Sequence, residues 1–261
     1  MNVWRLIPWL EVSGQLQMAI DQWLLKQHQE GHQPSTLRFY TWASPTISLG
    51  YHQLRWPASW QYLTWQEQPL QLVRRPTGGR AVLHQGDLTY MVVTSQIRGK
   101  RQDVYQKICQ FLIEAWRSLG MDLHYGLARR GYIDNPNCFA TATAADLVSA
   151  DGCKIIGSAQ LRRGQAILQH GSMFLEPDVE LFTQVFGQGL PLPNLPIALQ
   201  GENLINTLID ALIQAAADCF DICLLEQPLA KEEWQEILAQ PSLDIGSPVN
   251  LARSETGVLD V

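Results

Sequence analysis

Residues 74–90 read RRPTGGRAVLHQGDLTY. The stretch begins at the end of a strand, Gln71 to Arg75. Pro76 stops that strand, because proline has no N–H to give to a ladder. Gly78 and Gly79 follow, and a glycine pair reaches backbone dihedrals closed to other residues while leaving the main chain bare for a ligand. Asp87 to Thr94 is rich in β-formers and resumes as a strand. The basic turn between the strands has two readings. It is a β-turn with exposed arginines, or a binding loop in which Arg75 or Arg80 meets an anion.

Working outward, strands and helices alternate without a repeat. Ser13 to Gln29 reads as a helix with Leu16, Ala19, Ile20, Trp23 and Leu24 on one face and Ser13 as its cap. Leu37 to Tyr40 and Thr46 to Tyr51 read as strands. Asp103 to Leu119 carries the helical stripe Val104, Ile108, Leu112, Ala115 and Leu119. Leu147 to Ser149, Lys154 to Leu161 and Gln165 to Phe174 read as strands joined by turns at Asp151-Gly152 and Arg163-Gly164. Glu180 to Phe186 reads as a short helix, Glu202 to Leu225 as a long apolar one, and Lys231 to Leu238 as a short charged one. Residues 187–201 read as a linker, and the tail from Gln240 as frayed. This pattern predicts an α+β fold with a mixed, mostly antiparallel sheet flanked by helices.

Composition narrows the class. Of 261 residues, 46% are hydrophobic and 17% charged, enough for a sizeable core. The formal net charge of −6 argues against nucleic acid as partner, which needs a basic face. No stretch reads as a membrane span or a secretory signal, so the expected location is cytoplasmic. The five cysteines, Cys109, Cys138, Cys153, Cys219 and Cys223, form no CxxC pair. An odd count in a long chain fits free thiols better than a disulfide framework, and no metal site is expected.

The second informative stretch runs from Asn135 to Leu175. Cys138 sits in a loop of small residues, NPNCFAT, where a cysteine is less expected as core filler than on a helix stripe. Cys109 falls on a helix stripe and is expected in the core. Cys219 and Cys223, one helical turn apart, are expected to pack internally. Cys153 competes with Cys138, but it adjoins Lys154, and strand neighbours face opposite ways. His84 and His170 read first as satisfied structural histidines.

Four pieces in order, AIDQWLL (Ala19–Leu25), ISLGYHQ (Ile47–Gln53), the stretch 74–90 and KIIGSAQLRRGQAILQHGSMFL (Lys154–Leu175), resemble the lipoate–protein ligase A and octanoyltransferase superfamily. The match runs from about residue 4 to 176. RRPTGGRAVLH and a cysteine in an Asn/Pro-Cys-Phe loop resemble the LipM type of octanoyltransferase. After Phe139 the chain reads Ala140-Thr141-Ala142-Thr143, where that type carries an Asp and a Pro-Ser.

The resemblance implies a biotin/lipoate protein ligase catalytic-domain-like fold over residues 1–200, with residues 201–261 a short helical extension packed on it. It implies Cys138 as acyl carrier and Lys154 as the cation that favours its thiolate. Arg75, Thr77, Gly78, Gly79, Arg80, Ala81, His84, Gly157, Ser158, Ala159, His170 and Gly171 are the implied substrate-binding residues. Val82, Leu83, Val92, Ile155 and Ala159 are expected walls of an acyl slot. The implied donor is octanoyl-acyl carrier protein, and the acceptor a lysine of a lipoyl domain or of the glycine-cleavage H protein. No cofactor is expected, because a thioester is already activated, and the chain is expected to be a monomer. Arg162 and Arg163 are expected to meet the acidic partners. Two alternatives share these motifs, an ATP-dependent lipoate–protein ligase and an amidotransferase moving octanoyl between carrier domains.

Overall fold

The structure, a computed structural model, describes residues 2–126, 146–187, 189, 192, 194–196 and 203–249. The elements are β1 (Asn2–Val12), α1 (Gly14–Gln29), β2 (Thr36–Trp42), β3 (Thr46–Leu49), β4 (Arg55–Pro57), a 3-10 turn (Ala58–Tyr62), β5 (Thr64–Trp65), β6 (Gln68–Pro69), β7 (Gln71–Arg74), β8 (Val82–His84) and β9 (Asp87–Thr94). There follow α2 (Arg101–Ser118), β10 (His124–Tyr125), β11 (Leu147–Val148), β12 (Lys154–Arg163), β13 (Ala166–Phe174), α3 (Val179–Phe186), α4 (Leu204–Phe220), β14 (Ile222–Glu226), α5 (Lys231–Leu238) and β15 (Ser247–Val249).

Among the described residues, eight strands form the main sheet in the order β10-β11-β12-β13-β9-β2-β1-β14. From β10 to β2 every pairing is antiparallel, while β2-β1 and β1-β14 are parallel. Period-two alternation splits β9 between two cores. Leu88, Tyr90 and Val92 join α2 and α4 on one face. Met91 and Val93 join α1 and α5 on the other. A small sheet, β7-β3-β8, packs with α3 and the 3-10 turn in a third core. Helices on both faces of a mostly antiparallel sheet are the expected α+β layering.

One strand was missed and three readings need correction. β1 was not legible as a strand. Its ladder with β2 shifts register between Ile7 and Leu10, around Pro8, which breaks the alternation that marks a strand. The apolar run after residue 202 is helical only to Phe220. Asp221 then takes a left-handed conformation (φ 51°), and Ile222–Glu226 becomes an edge strand of the main sheet. In consequence Cys219 and Cys223 are exposed, not internal. The tail is also not frayed up to residue 249. Arg74 donates to the carbonyls of Asp244 and Ile245, the Trp56 indole N–H donates to the Ile245 carbonyl (2.9 Å), and β15 pairs with β4. Among the described residues, no helix is long and apolar enough to cross a membrane.

Candidate active site

The turn after β7 is locked before any ligand arrives. Gly79 has φ +100°, a backbone state that L side chains rarely adopt. Gly50 lies so close that a Cβ placed on it would fall 1.7 Å from the Gly79 carbonyl oxygen. The Arg75 guanidinium reaches back over this contact. It donates to the carbonyls of Ser48 (2.8 Å), Gly78 (3.0 Å) and Arg80 (2.6 Å), and to Ser48 Oγ (3.1 Å). Arg75 therefore shapes the loop from within. Arg74 holds its other side, donating to the carbonyls of Gly50 (2.5 Å) and Tyr51 (3.3 Å).

Two buried chains of hydrogen bonds support this turn from the sheet. In the first, Asp87 Oδ2 faces His84 Nδ1 at 2.8 Å and also accepts from Ser172 Oγ (2.5 Å). A carboxylate opposite Nδ1 fixes the ring proton there, so Nε2 accepts from Ser48 Oγ at 2.8 Å. Burial holds the His84 pKa below its ordinary value, despite the neighbouring Asp87. In the second, Asp21 Oδ2 lies 2.7 Å from His170 Nδ1, and His170 Nε2 accepts from Thr77 Oγ1 at 2.6 Å. Asp21 also accepts from the Tyr40 hydroxyl (3.1 Å) and pairs with Arg38 (3.1 Å). Both histidines are satisfied, as the residues alone suggested, and both also line a cavity.

That cavity spans about 650 Å³ between atoms, counting the open solvent at its mouth. Arg75, Gly78, Gly79, Val82 and His84 line one side; Gly157, Ser158, Ala159, His170 and Gly171 line the opposite side. Met18, Tyr40 and Trp42 form an apolar part, with Trp42 stacked on His84 at 3.8 Å between ring centroids. Thr77 is buried behind the lining, against His170. Arg80 and Ala81 are outside the lining, although the Arg80 carbonyl takes part in the Arg75 clamp.

Of the five expected wall residues, only Val82 and Ala159 line the cavity. Leu83 is in the core below the small sheet, and Val92 and Ile155 are in the core beneath α2. Leu83 follows Val82 on β8 and so faces the other way.

Lys154 is buried, and its Nζ lies 2.9 Å from Asp146 Oδ1; Asp146 itself lines the cavity. Cys138 lies outside the described residues. The chain around it is bounded by Gly126 and Asp146, and these bounds meet, since the Gly126 N–H donates to the Asp146 carbonyl at 2.9 Å. Cys153 and Cys109 are both buried in the core beneath α2, and burial raises both thiol pKa values, that of Cys109 to about 12. Neither suits a nucleophile.

Asp21, Arg38, Ser48, Asp87 and Asp146 were not singled out from the sequence. A signal existed for the first two. Gln17 and Asp21 are polar residues four apart on the buried side of α1, and Arg38 interrupts an apolar strand. Buried charge in such places needs a partner.

Residues 13–191 match the family model described as the lipoyl protein ligase A/B catalytic domain. Curated relatives include the octanoyltransferase LipM of Anoxybacillus flavithermus, 37% identical over 71% of this chain and 70% of that protein. The octanoyltransferase LipM of Carboxydothermus hydrogenoformans is likewise 37% identical over 71% and 70%. Among solved structures, a lipoate-protein ligase A bound with ATP aligns with a TM-score of 0.73 at 25% identity, over 91% of this chain and 93% of that one. A bi-partite lipoate protein ligase from Thermoplasma acidophilum aligns with a TM-score of 0.68 at 22% identity, over 91% of each chain.

Proposed function

This chain belongs to the lipoyl protein ligase A/B catalytic domain family, and from that premise we propose that it is an octanoyltransferase working through a thioester on Cys138. Its curated relatives carry that activity in their names. The thiolate of Cys138 attacks the carbonyl carbon of octanoyl-acyl carrier protein. A new C–S bond forms, the bond to the carrier sulfur breaks, and the leaving thiolate takes up a proton. The neutral ε-amine of a lysine on a lipoyl domain or glycine-cleavage H protein then attacks the acyl-enzyme. An amide forms, the amine gives up its proton, and the Cys138 thiolate is regenerated. Both steps take place in the cytoplasm.

The observation that carries this mechanism is that Asp146, which lines the cavity, meets both the Gly126 N–H and the Lys154 ammonium. The segment bearing Cys138 starts and finishes there, beside a buried cation of the kind that favours a thiolate. The apolar part of the cavity, with Met18, Trp42 and Val82, suits an alkyl chain. Burying eight carbons at ~0.8 kcal/mol each gives about 6 kcal/mol of gross transfer energy.

Intact-protein mass spectrometry after mixing with octanoyl-carrier tests the reading. A gain of one octanoyl group without ATP is expected, and Cys138→Ser should abolish it. Acylation that needs ATP and survives Cys138→Ala would make the chain a ligase. Loading only from an octanoylated lipoyl-type domain would make it an amidotransferase.

A further inference from the structure

The formal charge of −6 does not describe the surface near the cavity. Residues 203–249 hold eight acids against one lysine, so the acidic excess belongs to the C-terminal segment. A basic cluster forms instead where the start of α2 meets the end of β12. Arg98, Lys100 and Arg101 are exposed, and Arg162 is half-buried beside them. Arg162 donates to the carbonyls of Gly99 (3.3 Å) and Lys100 (3.5 Å), and Arg101 donates to the Gln160 carbonyl (3.0 Å). Four cations from two distant segments are thereby held together. Among the described residues none of the four is in an ion pair with an acid. Asp103 is the acid in the first turn of α2. The helix N-terminus adds its own positive end to the cluster.

The cluster adjoins the cavity. One turn along α2 from Arg101, the Tyr105 hydroxyl donates to the Ser158 carbonyl at 3.0 Å, and Ser158 lines the cavity. Gln160, which Arg101 holds, is two residues from Ser158, about 7 Å along the strand. A partner seated on the cations would therefore stand at the cavity's flank.

We propose that Arg98, Lys100, Arg101 and Arg162 form the docking surface for an acidic carrier domain that delivers the acyl group on a phosphodiester-linked arm. This rests on the octanoyltransferase reading. Both partners are expected to be acidic, so what separates donor from acceptor is the group each presents beside the cavity, an anionic arm or a cationic lysine. The donor brings anions in both its surface and its arm, and a basic platform steers it in. The acceptor must present a lysine, and the same platform opposes a cation. Arg163, exposed at the β12–β13 turn, lies at the edge of the cluster.

The test compares two donors, an octanoylated acidic carrier domain and octanoyl-N-acetylcysteamine, a neutral thioester that needs no docking. The variants are Arg98→Glu with Lys100→Glu, whose side chains hold no element in place, and Arg101→Gln with Arg162→Gln. Loading from the carrier at low salt should fall at least tenfold in the charge-reversed variant. The wild-type rate should drop as salt rises, and the variant's salt dependence should flatten. Loading from the neutral thioester should stay within about twofold of wild type, which also shows that the variant is folded. Carrier loading unchanged by charge reversal overturns the proposal. Equal losses with both donors overturn it too, because the cations then act on the site itself. A slower transfer to the acceptor with normal loading assigns the surface to the acceptor and overturns the donor claim. Failure of the wild type with both donors sinks the transferase reading rather than the docking surface alone.

Discussion

Lys154 Nζ stands 2.9 Å from Asp146 Oδ1, with both side chains buried and Asp146 lining the cavity. A buried pair of this kind is costly to break from one side, by about 3–5 kcal/mol, yet often replaceable as a unit by apolar residues. This separates stability from chemistry. Lys154→Met alone should lower the free energy of unfolding in urea by that amount. Lys154→Met combined with Asp146→Leu should recover most of it. If Lys154 is the cation that favours the thiolate, as proposed, octanoyl loading should remain at least a hundredfold down in both. A double variant that loads within tenfold of wild type would remove Lys154 from the mechanism.

Gly50 and Gly78 predict opposite phenotypes from the same substitution. A Cβ on Gly50 meets the Gly79 carbonyl oxygen at 1.7 Å, so Gly50→Ala must push the turn out of place. Backbone cannot give way as a side-chain end can, and a loss of about 2 kcal/mol or more is expected. Nothing lies within 4 Å of a Cβ on Gly78, which lines the cavity. Gly78→Ala should keep its stability within about 0.5 kcal/mol. It should instead narrow the slot, shifting acyl preference toward shorter chains. Thermal unfolding and loading rates across a series of acyl thioesters distinguish the two. Equal destabilisation by both would show that the turn is held by something other than the Gly50–Gly79 contact.

How much of this was legible follows from which physical signal each part carries. β9, α2 and α5 declared themselves through periodicity, because each has one partner face or a run of β-formers between clear stops. β1 did not, since its register shift near Pro8 erases alternation. The site was legible as motifs but not as geometry. Gly78, Gly79, Ser158 and His170 come from three separate segments and meet only when β13 pairs with β12 and β9. Asp21 and Asp87 were hidden for a different reason. A lone carboxylate in a sequence reads as surface, and its burial is decided by a histidine 149 residues away in one case and three in the other. The basic cluster was half visible in Arg162-Arg163, but its other members join only because α2 begins beside the end of β12.

His84 predicts how stability depends on pH. Burial outweighs Asp87 and keeps the folded-state pKa below the unfolded value of about 6.5. Below that value the unfolded chain binds a proton that the folded chain refuses, so stability falls as pH drops from about 6.5 toward the folded pKa. The steepest slope one such group can give is about 1.4 kcal/mol per pH unit. Above 6.5 its contribution is complete and flat. His84→Gln keeps a side chain able to bond Ser48 but cannot titrate. It should therefore be less stable than wild type at pH 7.5, and the gap should close as the pH is lowered to 5. Urea unfolding of both proteins across that range measures the gap. A gap that stays constant would mean that the fold leaves the His84 pKa unshifted, and a gap that widens as the pH falls would mean that His84 is protonated in the fold, with the hydrogen bond from Ser48 to its Nε2 reversed.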